Sequence, residues 1–202
     1  MPTVQIAQFP ISEAFTKTPE VFKAPLDVIK TAEGHISSFY GLQVEDKAYG
    51  YFISVWESYE HHMKLVAEPS YKSLIEVLRP ATADTSKFAR HHIEPTKDPL
   101  QALGAPATER VIFTLKEGAE PEQLGLLLEE LGAGLDAAAG AHPPCVWGQS
   151  REDKTKFLLL VGWDTVEAHW EAVKEGTALH ATVLKIAAIS ELVIGHAPLK
   201  QG

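Results

Sequence analysis

A single cysteine, Cys145, is all the thiol the chain carries, so no internal disulfide can form and a reducing, cytoplasmic setting is expected. Lysine and arginine are few against the acids, 18 to 27, and they form no run. A formal charge of −9 with no basic patch argues against a phosphate-tracking surface, and no nucleic-acid partner is expected. No apolar run approaches the roughly 20 residues of a membrane span, and the start, MPTVQIAQFP, lacks the basic and apolar regions of a secretory signal. No membrane partner is expected either. Paired-cysteine spacing and His-Glu-x-x-His are also missing, so no metal is expected.

What is present is a repeat. Tyr51 to Val66, YFISVWESYEHHMKLV, is written again as Leu158 to Val173, LLLVGWDTVEAHWEAV. The offset is constant: His35 and His142, Trp56 and Trp163, and His62 and His169 each stand 107 residues apart. Gly41, Glu45, Asp46, Lys47, Glu60, Val66 and Glu68 also find themselves at that offset, which makes ten identities across positions 34 to 68, where composition alone gives roughly two. The chain is an internal duplication. Its 202 residues, 45% hydrophobic and 22% charged, suffice for a core in each copy.

Each copy has the same expected order of elements. In the first, residues 3–9 alternate as a strand, with Val4 and Ile6 on one face and Ala7 and Phe9 on the other. A helix is expected from Thr18 to Ala32, capped by Thr18 with Pro19 behind it, although Pro25 interrupts or delays it. A hairpin of 35–45 and 48–57 turns at Asp46 and Lys47. Ser58 then caps a helix with the stripe Tyr59, His62, Met63 and Val66, continued past Pro69 to Leu78. A last strand falls at 86–94. After a surface linker at 96–108, the second copy places a strand at 109–116, a Leu-rich helix near 120–139, a hairpin at 144–163, a helix from Thr165 and a strand at 188–197. Residues 1–95 and 109–202 are thus two βαββαβ repeats of the ferredoxin-like kind, an α+β fold.

Both strand faces carry apolar groups, with Tyr49, Tyr51, Ile53 and Val55 one way and Phe52 and Trp56 the other. Two helices cover one face of each four-stranded sheet. The other face is expected to meet the twin sheet, because burying a Val, Leu or Phe side chain contributes about 1.5–3 kcal/mol. The expected product is an intramolecular, pseudo-dimeric α+β barrel, a monomer in chain count, with further self-association left open.

The pattern Gly-x-Gln/Ser-x-Glu-Asp, then a strand, then Trp-Glu-Ser or Trp-Asp-Thr, then Glu and His, resembles the antibiotic-biosynthesis-monooxygenase type of dimeric α+β barrel, fused in tandem. The likeness spans nearly the whole chain and is sharpest at 40–66 and 147–173. It implies small-molecule chemistry of several kinds: cofactor-free oxygenases of phenols, haem-degrading monooxygenases, polyketide cyclases, lyases and stress-related proteins without activity. Fold does not choose among them.

Residues narrow the choice. His62 and His169 lie on the inward stripes of their helices, where a ring needs either a hydrogen-bond partner, such as Glu45 or Glu152, or a chemical task. Tyr40 and Tyr51 are candidate general acids or orienting donors beside such a histidine. His61 adds a second ring in the first copy only, since Ala168 replaces it in the second. Catalytic candidates are therefore His62, Tyr51, Tyr40, His61 and His169, with the first copy favoured. Trp56, His35, Met63, Trp163 and Trp170 are substrate-binding candidates, with core packing as the alternative for the strand tryptophans. His91 and His92 face opposite ways on one strand, and His196 stands in the corresponding strand of the second copy.

Other signals fall away. Gly132 to Ala137 imitates a dinucleotide fingerprint but follows a Leu-rich helix where a strand is required. Cys145 has no nearby base and reads as packed. Trp170 and His180 have a spacing like that of haem-degrading relatives, yet Met63 and Ser73 stand at those positions in the first copy. No cofactor is expected, with haem a lesser alternative. Three functions remain open: a cofactor-independent monooxygenase of phenolic or polyketide-like aromatics, a cyclase or lyase on the same scaffold, and a non-catalytic ligand-binding or stress-related protein. A cavity walled by His62 and a tyrosine separates the first two from the third.

Overall fold

The computed structural model describes residues 2–17, 23–71, 76 and 79–202. Two compact units appear, residues 1–92 with 200–202, and residues 93–199. Both are α+β, with antiparallel pairing of the first strand and the hairpin in one sheet and of all neighbouring strands in the other.

In the first unit, β1 (Thr3–Pro10) leads through α1 (Glu13–Lys17) and α2 (Lys23–Lys30) to the hairpin β2 (His35–Leu42) and β3 (Tyr49–Trp56). Then come α3 (Tyr59–Ala67), 3-10 turns at Arg79–Ala81 and Thr85–Lys87, and β4 (Ala89–Ile93). The sheet order is β4-β1-β3-β2, to which the two-residue β9 (Lys200–Gln201) is added beyond β2. This is the ferredoxin-like order: β1 and β3 are central because the crossovers run through helices. The expected start of a helix at Thr18, and the continuation of the later helix through 72–75 and 77–78, lie outside the described residues.

In the second unit, α4 (Leu100–Leu103) precedes β5 (Ala107–Leu115), α5 (Pro121–Asp136), the hairpin β6 (Ala141–Gln149) and β7 (Lys156–Trp163), α6 (Val166–Ala172), α7 (Ala178–Ile189) and β8 (Ser190–Ala197). The order β6-β7-β5-β8 is the same permutation read from the other edge. One expectation needs correcting. The stretch taken as a plain surface connection contains α4, which buries Ala102 and Leu103 completely, and Ala105 is nearly so. Thr96 and Lys97 also tie this stretch to the second unit, through the Trp147 carbonyl and Asp136. Pro and Ala content concealed a packed segment.

Period-two burial places the site. On β1 and β3 the side chains of Gln5, Ala7, Phe9, Phe52, Ser54 and Trp56 share the face on which α3 packs, as their cross-strand register requires. Val4, Ile6, Ile53 and Val55 point the other way and are buried too. The second unit does likewise, with Val111, Phe113, Leu159 and Trp163 packed against Leu124, Leu128, Leu131 and Leu135 of α5. Within α3 the buried positions are His62 and Leu65, whereas Met63 and Val66 are only half-buried. The stripe is rotated from the expected one because the helix leans its 62–65 edge on the sheet. Among the described residues, no helix is long and apolar enough to cross a membrane.

Candidate active site

The first unit holds a half-open cavity of about 400 Å3. Its floor is the sheet face, with Gln5, Ala7, Phe9, Phe52, Ser54 and Trp56; His62 and Leu65 of α3, Ile29 of α2 and Tyr71 wall it, and Arg79, Thr82, Thr85, Phe88 and Arg90 complete it. A volume of this size with an apolar lining and few polar groups is what a small-molecule site requires.

The elements deliver these side chains for local reasons. Ser58 is extended and its hydroxyl accepts from the His61 amide, which starts α3 after two residues beyond the strand and sets His62 over Trp56. The two rings stack with centroids 4.9 Å apart at 25°. His62 Nδ1 lies 2.7 Å from His92 Nε2, both residues being nearly fully buried, so one ring donates and the other accepts. Behind Trp56, its indole N–H donates to Ser54 Oγ at 2.8 Å, and Ser54 Oγ–H donates to Gln5 Oε1 at 2.8 Å. Tyr71 stands edge-on to His62 with centroids 6.5 Å apart. Burial pushes its phenol above the ordinary value of 10, with the neighbouring Arg90 pulling the other way, so it stays protonated near neutrality.

The expected site residues divide sharply. His62 and Trp56 wall the cavity. Tyr51 is buried on the opposite face of β3, beside Ile53, and cannot reach it. Tyr40 packs with Leu42 at the margin of the first core cluster and is not among the described residues that wall the cavity. His61 packs over Gly34, with its ring 3.3 Å from Ser58 Oγ, outside the wall. His35 bonds Ser38 Oγ at 2.8 Å and meets Trp56 edge-on from behind. Met63 is half-buried on α3 and does not line the cavity. Sequence reasoning missed Tyr71, His92, Gln5, Ser54, Arg79 and Arg90. Only His92 had carried a signal, its correspondence to His196.

The second unit repeats the plan with different chemistry. A cavity of about 330 Å3 is walled by Glu109 and His169 among Val111, Phe113, Leu131, Leu159 and other apolar side chains, with Trp170, Lys174 and His180 also in its wall. His169 Nδ1 and His196 Nε2 are 2.9 Å apart. Trp163 is fully buried and donates its N–H to Glu109 Oε2 at 2.8 Å. Trp170 is half exposed and its ring lies 4.5 Å from that of His169. Glu109, His169 and His196 each bring a ligand-type atom within 4.8 Å of the others, a grouping that linear spacing could not reveal. His180 Nδ1 is 3.1 Å from the Val173 carbonyl, a partner that accounts for one side of the ring that the haem-like spacing had singled out. Cys145 is buried and its thiol is pushed well above the ordinary range by desolvation, then by Asp136 and Glu109.

No protein-family model matches the chain, and no curated protein does. Solved structures do. A protein of Fusobacterium nucleatum provisionally named a monooxygenase superposes over 99% of this chain and 93% of its own, with a TM-score of 0.74 at 9% identity. One of Lactobacillus acidophilus, named in the same provisional way, covers 100% and 95% with a TM-score of 0.69 at 14% identity. An anthrone oxidase-like protein covers 99% and 92% with a TM-score of 0.71 at 17% identity. At such identities the likeness is one of fold alone: the chain is α+β, with two ferredoxin-like repeats in one polypeptide.

Proposed function

We propose that the first unit is a cofactor-independent monooxygenase site for a hydroxylated aromatic or polyketide-like substrate, with His62 as the general base. The observation that carries this reading is the cavity of about 400 Å3 whose wall contains His62, backed by His92 at 2.7 Å and facing Tyr71. Phe9, Phe52 and Trp56 supply flat apolar surface for fused rings. With His62 Nδ1–H donating to His92, Nε2 of His62 is the basic atom, and His92 shares the charge when it is protonated. Deprotonation makes a phenol or anthrone electron-rich enough to reduce dioxygen directly. For an anthrone the balance is substrate plus O2 giving quinone plus water: two hydrogens leave the ring carbon, one oxygen atom stays on it, and the other departs as water. Tyr71, held protonated, is the donor for oxygen-centred charge as it develops. The names given to the structural neighbours support this reading by analogy of fold only. A cytoplasmic place in secondary metabolism accords with it.

The test is aerobic incubation with a panel of anthrones, hydroxynaphthalenes and linear polyketide mimics, followed by absorbance and oxygen uptake. Quinone formation that consumes one O2 per product and falls by about a hundredfold or more in His62→Ala is expected, the usual share of a positioned base. Product formed without oxygen uptake makes the protein a cyclase or lyase. Binding without turnover makes it a ligand carrier.

A further inference from the structure

The second unit differs from the first at one decisive position. On β5, Glu109 pairs across the ladder with Val161; on β1, Gln5 pairs with Ser54. The first unit therefore runs Trp56 to Ser54 to Gln5 and ends on a neutral amide. In the second, valine cannot relay a hydrogen bond, and Trp163 reaches the Glu109 carboxylate directly through Oε2. The other oxygen, Oε1, lies 3.3 Å from His169 Nε2, and His169 is held from behind by His196 at 2.9 Å. The side chains of Glu109 and His169 are only 5% and 3% exposed, and both nonetheless border a cavity of about 330 Å3 whose wall is mostly Val, Leu, Ile and Phe.

A carboxylate held by Trp163 on one oxygen, with its other oxygen beside His169 at the edge of a mostly apolar cavity, is the kind of base that removes a proton next to a carbonyl. We propose that the second cavity is a proton-transfer site in its own right, taking uncharged, enolisable cyclic ketones of one or two rings. Glu109 Oε1 takes the α-hydrogen as a proton; the C–H electron pair becomes the enolate double bond, and the carbonyl π pair moves to oxygen. Return of the proton to carbon or oxygen gives exchange or the enol, with no oxidant and no change in composition. His169 and His196 are positioning residues, since they fix the carboxylate and its charge rather than receive the hydrogen.

The experiment is anaerobic exchange of the α-hydrogens of 2-tetralone in deuterated buffer, read by proton NMR with the full chain. Exchange above the buffer rate that survives His62→Ala and falls about a hundredfold in Glu109→Gln is expected, with partial recovery in Glu109→Asp. Leu192→Trp, which fills the cavity without altering the carboxylate, serves where Glu109→Gln does not fold, and the same loss is expected. No exchange by the wild type, loss in His62→Ala, or retention in Glu109→Gln or Leu192→Trp overturns the proposal. So does exchange that EDTA abolishes and a divalent ion restores, which would make the three groups metal ligands. Because the readout needs neither dioxygen nor His62, its failure leaves the oxidation reading of the first cavity standing, and the reverse also holds.

Discussion

Adjacent histidines on α3 have opposite fates, and the reason is one helical step of about 100°. His62 enters the cavity wall, while His61 swings over Gly34, whose φ of 75° only glycine adopts without strain. His61→Ala should therefore leave turnover within about twofold, whereas Tyr71→Phe should lower kcat about tenfold to a hundredfold with little change in KM, as loss of a donor used in the transition state does. Steady-state kinetics on the two variants checks both. Gly34→Ala should destabilise the protein by at least about 1–2 kcal/mol in urea unfolding, from the left-handed backbone alone, since its Cβ would also sit 2.2 Å from His61 Cγ. His35 supplies a pH dependence. Desolvation is the main cause that lowers its pKa below 6.5, with Lys30 adding to it and a hydrogen bond at Ser37 opposing it. The unfolded chain then binds more protons just below 6.5, so stability falls as pH drops through that value. Replacing His35 with Gln should flatten that part of a thermal-midpoint curve. At this scale the sequence was partly legible: a ring on an apolar stripe identified His62 and His169, but the face of a tyrosine on a doubly apolar strand could not be chosen. Alternation put Tyr51 opposite Trp56, as in the structure, but which of those two apolar faces holds the cavity was not legible, and Tyr71 lay within the helical register expected past Pro69 without standing out as a site residue.

Elements were more readable than residues, because capping and period are local. Ser58 was expected as a cap and the later helix was expected to begin at Thr165; both residues are caps, each accepting from the amide three residues on, and Thr177 does the same for α7. Ser58→Ala and Thr165→Ala should each cost about 1 kcal/mol of stability, and a chemical-denaturation midpoint measures it. Ser58→Ala should in addition slow turnover, since the cap fixes the register that sets His62 on Trp56. The hairpins came from alternation and a turn, and appear at 35–42 with 49–56 and at 141–149 with 156–163. The second begins three residues earlier than expected, because Pro143 and Pro144 fall at the register shift of β6 rather than ahead of it. Short α4 was illegible, since four residues offer no helical period and only burial reveals them.

For the whole chain, duplication explains both what was found and what was missed. The constant offset of 107 aligned hairpin and helix, the βα segment that sets His62 and His169, but the first and last strands of each repeat obey another spacing. Gln5 and Glu109 stand 104 apart, as do His92 and His196, so a search at one offset could not pair them. Those pairs hold the partner of each helix histidine and the exchange of a neutral amide for a carboxylate beneath it, and so that chemistry lay where the repeat slips by three residues. The central claim is that the first cavity receives an aromatic substrate against His62. The most direct measurement is a crystal structure of the protein with an anthrone bound under anaerobic conditions. The rings should lie among Phe9, Phe52 and Trp56, with the substrate oxygen within hydrogen-bond distance of His62 and of Tyr71. A ligand bound elsewhere, or a cavity closed by its own side chains, would contradict the account.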